Sequence, residues 1–113
     1  MSSNAPRRSL AQLAGALGAA EDAALAKLRV VEAEVAALRG RLADLEVPSP
    51  PLDMQGGAGL ASALDARRRA VRQQLMPMLA AALARREAAL AAARRAVGRR
   101  LALEAILQGR KAC

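Results

Sequence analysis

A break in the helical sequence, Val47-Pro-Ser-Pro-Pro-Leu-Asp-Met-Gln-Gly-Gly-Ala-Gly59, separates two long segments rich in Ala and Leu. Ala and Leu are strong helix formers, whereas proline lacks the amide hydrogen that a helix needs and restricts the residue before it. We therefore expect helices over residues 9–46 and 60–109, joined by a Pro/Gly loop over residues 47–59. This organisation predicts an all-α fold, an antiparallel two-helix coiled-coil hairpin with a longer, kinked second helix.

The composition predicts a single domain with a narrow core. The 113 residues include no Phe, Tyr, Trp or His, although 54% of them are hydrophobic. Large cores draw much of their bulk from aromatic side chains. We therefore expect the aliphatic residues to pack as a seam between two helices, as in coiled coils of similar composition.

A capping box and an apolar stripe mark the first helix. Ser9 and Gln12 fit the pattern Ser-x-x-Gln, whose side chains satisfy free amide hydrogens at a helix start, so residues 1–8 are expected to form a flexible basic tail. The steps from Ala20 to Ala24 and from Ala24 to Leu28 are both four residues long. Two steps of four in succession form a stutter, which would locally unwind the supercoil. The stripe consists of Leu10, Leu13, Leu17, Ala20, Ala24, Leu28, Val31, Val35, Leu38, Leu42 and Leu45.

The second helix carries a similar stripe with a proline inside it. Ser62 and Asp65 form a weaker capping box, and Gly109 is expected to end the helix. Pro77 removes one backbone hydrogen bond, and we expect a kink rather than a break because the stripe continues beyond it. The stripe consists of Leu64, Val71, Leu75, Leu79, Leu83, Leu90, Val97 and Leu101.

The register of the hairpin follows if residue 46 faces residue 60, so that contacting residue numbers sum to about 106. Glu34 then faces Arg72, and Leu10 faces Ala96, which leaves the end of the second helix projecting beyond the first. The other matched pairs are Asp65 with Arg41, Arg85 and Arg86 with Glu21 and Asp22, and Pro77 with Arg29.

This projecting end, Val97 to Arg110, is the expected binding site, because uncovered apolar surface usually marks one. Its basic residues would surround its apolar residues and suit a partner that has an apolar groove with an acidic rim. The expected partner-binding residues are Arg99, Arg100, Leu101, Leu103, Glu104, Ile106, Leu107 and Arg110.

The charge of +8 is unevenly spread and suggests an acidic partner. Residues 9–46 contain four bases against six acids, whereas residues 60–113 contain twelve bases against three acids. The basic face is either solvated or bound to an acidic partner. Nucleic acid is the less favoured partner, because no aromatic residue is available to stack on bases and no DNA-binding motif occurs.

Enzymatic chemistry has few residues to work with. The chain has no His to act as a general base near neutral pH, and its single cysteine, Cys113, cannot form a zinc cluster or an internal disulfide. We therefore expect no catalytic residue, no cofactor and no metal site. The longest uncharged run of the second helix, residues 73–84, is too short to cross a bilayer, so membrane insertion is not expected.

The end of the second segment, Arg94-Arg-Ala-Val-Gly-Arg-Arg-Leu-Ala-Leu-Glu-Ala-Ile-Leu-Gln-Gly-Arg-Lys111, follows a recurring order. A basic run, a Leu-Glu pair, an apolar pair and further bases resemble the close of the FliJ/YscO proteins of flagellar and type III secretion export. The matching residues are Arg99-Arg100, Leu103-Glu104, Ile106-Leu107 and Arg110-Lys111.

The resemblance implies a coiled-coil stalk similar to that of rotary ATPases. Such a stalk would sit in the pore of a hexameric ATPase ring and contact an export gate, in the cytoplasm and peripheral to a membrane-embedded export machine. Two other functions stay open, a coiled-coil adaptor or scaffold in another complex and a basic nucleic-acid-binding helical protein. Self-association through the projecting end also stays open.

Overall fold

Two long helices make up the structure. The computed structural model describes the backbone of residues 5–47 and 57–112 and the side chains of residues 7–47 and 59–110. Helix α1 spans Ala5–Glu46 and helix α2 spans Gly57–Ala112, and these described residues contain no strand. The predicted all-α hairpin of two antiparallel helices, with the second helix the longer, is confirmed.

Both helices extend beyond the ends that we expected. Helix α1 begins at Ala5 rather than Ser9, so residues 5–8 are helical and not a flexible tail. Pro6 lies in the first turn, where a missing amide hydrogen is tolerated. Helix α2 begins at Gly57 and passes through Gly109 to Ala112, because a glycine inside a helix costs only about 1 kcal/mol. The rest of the tail, residues 1–4, and of the loop, residues 48–56, lies outside the described residues.

Helix α2 passes through Pro77 without a break. A proline inside a helix costs about 3 kcal/mol or more, because it removes a hydrogen bond and clashes with the preceding turn. Leu75 is 2% exposed and Leu79 is half-buried, so packing on both sides holds the helix together, while Pro77 itself faces solvent. A break is excluded, and the kink stays a prediction.

Contacts divide the hairpin into two halves, and each half contains a segment of both helices. We call residues 32–85 the loop half and residues 1–31 together with 86–113 the open half. The division falls after Val31 in α1 and after Arg85 in α2, within the helices rather than at their ends.

The loop half has a core of large aliphatic side chains. Burying one such side chain contributes about 1.5–3 kcal/mol, which makes this cluster the main apolar contribution of the loop half. Most of the predicted stripe residues pack here, but Leu64 at the start of α2 is exposed, and Ala82, which the stripe omits, is buried while the predicted Leu83 is half-buried beside it. The buried members are Val35, Leu38, Leu75 and Ala82, and Leu42, Leu45, Val71, Leu79 and Leu83 pack against them half-buried.

The open half has a seam of small residues on α2 instead. Ala89, Ala93, Ala96 and Leu103 are buried at steps of four, three and seven, and half-buried Arg100 divides the last step into four and three. This is the spacing of a coiled-coil seam. The predicted stripe is wrong by one position here, because Leu90 and Val97 are half-buried beside the seam and Leu101 is exposed.

In the open half, helix α1 also packs through residues other than those of its predicted stripe. Leu13 and Ala20 are exposed, and Glu21 takes the seam position that we assigned to Ala20. Leu17, Glu21, Ala24 and Leu28 are half-buried and follow one another at steps of four, three and four. This is a regular coiled-coil spacing. The stutter that the apolar pattern predicted is therefore wrong, because a polar residue completes the seam.

The helices pair in a different register from the predicted one. Glu34 accepts a hydrogen bond from Arg85 rather than from Arg72, and Glu21 accepts one from Arg100 rather than from Arg85. The partners on α2 are thus displaced by 13 to 15 residues toward the C-terminus. The predicted pairing of Leu10 with Ala96 is also replaced, since Leu10 lines a pocket with Leu107.

The physical reason for the new register is apolar packing near the loop. The prediction placed residue 46 against residue 60, but Leu45 packs against the cluster that contains Leu75. Exposed ion pairs contribute only about 0.2–1 kcal/mol each, so charge matching does not override that cluster. The described side chains of residues 59–67 are all exposed. The uncovered part of α2 is therefore its start and not its end.

Candidate interaction surface of the open half

The expected projecting end of α2 is paired with α1 instead. Leu103 is 7% exposed and belongs to the seam, and Leu107 is half-buried beside Leu10. The expectation that these two side chains are uncovered is therefore wrong for Leu103 and only partly met for Leu107, and their binding role stays a prediction. The reason is the register, which brings the start of α1 alongside the end of α2.

The other expected binding residues have mixed positions. Leu101 and Ile106 are exposed apolar residues, and Arg99, Glu104 and Arg110 are exposed charged residues. Arg110 also lines a pocket together with Leu10, Leu107 and Arg7 of α1. The side chain of Lys111 lies outside the described residues. These exposed residues remain accessible, and their binding role stays a prediction.

Arg100 is part of an ionic cluster that joins the helices. Its side chain pairs with Glu21 across the seam, and its Nη1 donates a hydrogen bond to Glu104 Oε1 at 2.7 Å. The hydrogen bonds to Glu21 and then to Glu104 raise the pKa of Arg100 above its ordinary value. A polar pair at seam positions disfavours other registers. Arg100 therefore helps to set the register and is not a free docking charge.

The excess positive charge belongs to the open half. The open half contains eleven Lys and Arg against four acids, whereas the loop half contains seven against six. Arg94, Arg95 and Arg99 are exposed on α2 within the open half. The Nε atom of half-buried Arg86 is buried without a hydrogen-bond partner among the described residues. A partner of the open half would therefore meet a basic surface.

An apolar groove runs between the helices of the open half. Its volume is about 370 Å³, and a Cβ atom added at Gly98 would have no neighbour within 4 Å. The groove residues, as we call this set, are Leu25 and Leu28 of α1 and Leu90, Ala93, Arg94, Val97, Gly98 and Leu101 of α2.

The sequence prediction missed this groove, although the sequence contains a signal for it. Leu90, Arg94, Val97 and Leu101 recur at steps of four, three and four, a second heptad stripe that lies one residue beyond the alanine seam. We assigned the leucines of this stripe to the seam itself, because leucine is the stronger hydrophobic signal. The alanines occupy the seam, so the larger residues are left to line the groove.

No group of three or more His, Cys, Asp or Glu side chains lies where it could hold a metal ion, within the residues searched. Neither α1 nor α2, as far as each is described, is both long and apolar enough to span a membrane.

Comparisons with protein-family models, with curated proteins and with solved structures each return no match. The resemblance to the FliJ/YscO proteins therefore depends on the closing residues of α2 and on the hairpin architecture.

Proposed function

We propose that this chain is a non-enzymatic coiled-coil component of a flagellar or type III protein export apparatus, acting as a stalk or regulator of its hexameric ATPase. The supporting observation is the excess of positive charge in the open half, which contains the closing segment that resembles the FliJ/YscO proteins. The proposal places the chain in the cytoplasm, peripheral to the membrane-embedded export machine.

A stalk contacts its ring through exposed side chains on helices, and the open half offers such side chains. Arg99 and Arg110 are exposed bases, and Leu101 and Ile106 are exposed apolar residues on the same segment of α2. Exposed charges mainly speed and orient the docking of two proteins, while apolar residues supply more of the affinity. An acidic inner wall with small apolar recesses would match this combination.

A coiled-coil adaptor in another complex is the second candidate. The apolar groove favours it, because the groove offers a further helix a place to pack that is independent of any ring. A basic nucleic-acid-binding protein is the third candidate, since phosphate binding requires only charge.

The proposed function is tested by adding the full chain to the purified flagellar and type III export ATPases of the same organism. We expect co-elution and a changed rate of ATP hydrolysis. Replacing Arg99 and Arg110 together by Glu should abolish both effects. The matched control replaces Arg67 and Arg69, two exposed bases of the loop half, by Glu and should behave as the unchanged chain.

The alternatives give distinct results in the same series. Binding to neither ATPase, with no change in hydrolysis, would overturn the stalk proposal. If the Arg99/Arg110 and Arg67/Arg69 variants lose ATPase binding equally, the basic residues of the open half have no particular role in that binding. Binding to duplex DNA that falls steeply between low and physiological salt, with no response from either ATPase, would favour the nucleic-acid candidate.

A further inference from the structure

We infer that the apolar groove of the open half binds one amphipathic helix with acidic flanks, supplied by a partner protein. The inference goes beyond the proposed function, because it concerns the chemistry of one occupant and holds for whichever complex contains the chain. It depends on three features of the groove: a second heptad stripe, an unfilled space at a glycine and the charge around it.

The second heptad stripe gives the groove the pattern that receives a helix. Leu90, Val97 and Leu101 lie at steps of seven and four on α2, beside the seam that packs on α1. Leu25 and Leu28 of α1 form the opposite wall. An apolar groove between two helices is the surface into which an amphipathic helix places residues spaced at three and four positions.

Gly98 leaves the space that such a helix would fill. A Cβ atom at Gly98 would meet nothing within 4 Å, so the space is open to a partner's side chain. Glycine inside a helix costs about 1 kcal/mol relative to alanine. Other helical glycines such as Gly40 are equally open, and Gly98 differs from Gly40 in lining the groove. Leu101, one turn further along, is still 51% exposed and has about half of its surface left to bury.

The charge around the groove selects an acidic helix over a second copy of this chain. Arg94 lines the groove, and exposed Arg95 lies three residues before Gly98, which makes the two neighbours on the helix surface. The open half as a whole has eleven bases against four acids. Two open halves facing each other would repel, whereas Glu or Asp residues beside the apolar face of a partner helix would be attracted.

The test uses a synthetic probe helix and the full chain. The probe has four heptads with Leu at positions a and d and Glu at positions e and g, and a comparison probe has Lys at positions e and g. Like charges at e and g also keep each probe from pairing with itself at neutral pH. Titration calorimetry should give binding of the Glu probe and binding at least roughly tenfold weaker for the Lys probe.

Substitutions in the groove should weaken binding of the Glu probe without unfolding the chain. Leu101→Gln should weaken it roughly tenfold, since half of a leucine surface would no longer be buried. Gly98→Gln should weaken it at least as much by filling the space, while the melting temperature stays equal or rises because Gln is the better helix former. The control is Gly40→Gln, a glycine of the loop half with equally open surroundings, which should bind the probe as the unchanged chain does.

Three results would overturn the inference. The first is equal binding of the Glu and Lys probes. The second is probe binding by Gly98→Gln and Leu101→Gln that matches the Gly40→Gln control. The third is a dimer of the chain, seen by sedimentation equilibrium, that Leu101→Gln dissociates, because the occupant would then be a second copy. Binding of the Glu probe without any response from an export ATPase would leave this inference standing and remove the proposed function.

Discussion

Replacing Leu75 by Ala tests the packing of the loop half at its most buried large side chain. Leu75 is 2% exposed and packs with Val35, Leu38 and Ala82. The substitution loses the transfer free energy of the removed atoms and leaves a cavity, which together cost about 2–5 kcal/mol. A seam between two helices can close over a cavity more readily than a deep core can. We therefore expect a loss of about 2–3 kcal/mol, in the lower part of that range.

The assay for Leu75→Ala is urea unfolding followed by far-ultraviolet circular dichroism. An unchanged slope of the free energy of unfolding against urea concentration would show that both proteins expose the same amount of surface when they unfold. The matched control is Met76→Ala, a large apolar residue at the next position that is 48% exposed. A surface substitution of this kind should change the free energy of unfolding by less than about 0.5 kcal/mol. Equal losses for the two variants, or a larger loss for Met76→Ala, would refute the assignment of Leu75 to the seam.

Two further predictions concern small residues. Gly15→Ala should raise the free energy of unfolding by up to about 1 kcal/mol, because alanine is the better helix former and its methyl group would meet nothing within 4 Å. A fall in the melting temperature would contradict this prediction. Ala93→Leu should lower the free energy of unfolding by about 1–3 kcal/mol through overpacking, since Ala93 is 4% exposed in the alanine seam, and unchanged urea unfolding would show that the seam has room.

The helices and the seam of the loop half could be predicted because their signals are local. The Pro/Gly segment after Val47 excludes a continuous helix, and the leucine spacing on either side identifies the faces that pack. In the loop half Leu38 and Leu75 lie where that spacing put them. Helix ends were less predictable, because the capping pattern at Ser9 does not exclude an earlier start and Gly109 disfavours a helix by an amount that neighbouring contacts can offset.

The register could not be predicted because charge matching has more than one solution in this sequence. Glu34 matches Arg72 in one register and Arg85 in another, and exposed pairs differ by too little free energy to choose. The choice depends on apolar packing summed over the seam, which a single sequence does not display.

The open-half seam and the groove were missed for a related reason. Alanines such as Ala89 and Ala96 carry a weak hydrophobic signal beside leucines, so the sequence pattern predicts the neighbouring leucine stripe as the seam. The polar seam pair of Glu21 and Arg100 weakened the signal further, since a search for apolar periodicity passes over charged positions. Because the seam lies one residue before the leucine stripe, Leu90, Val97 and Leu101 lie beside the seam and line the groove.

Cross-linking of the Glu21 and Arg100 positions tests the helix pairing most directly, in a chain whose only cysteine, Cys113, is replaced by Ser. With Glu21→Cys and Arg100→Cys, a short bismaleimide should join the two positions within one chain and leave its mass that of a monomer. With Glu21→Cys and Arg85→Cys, the pair of the register that sums to about 106, the same reagent should leave the chain open. Preferential closure of the second pair, or a cross-link between two chains in the first, would contradict the register and the hairpin.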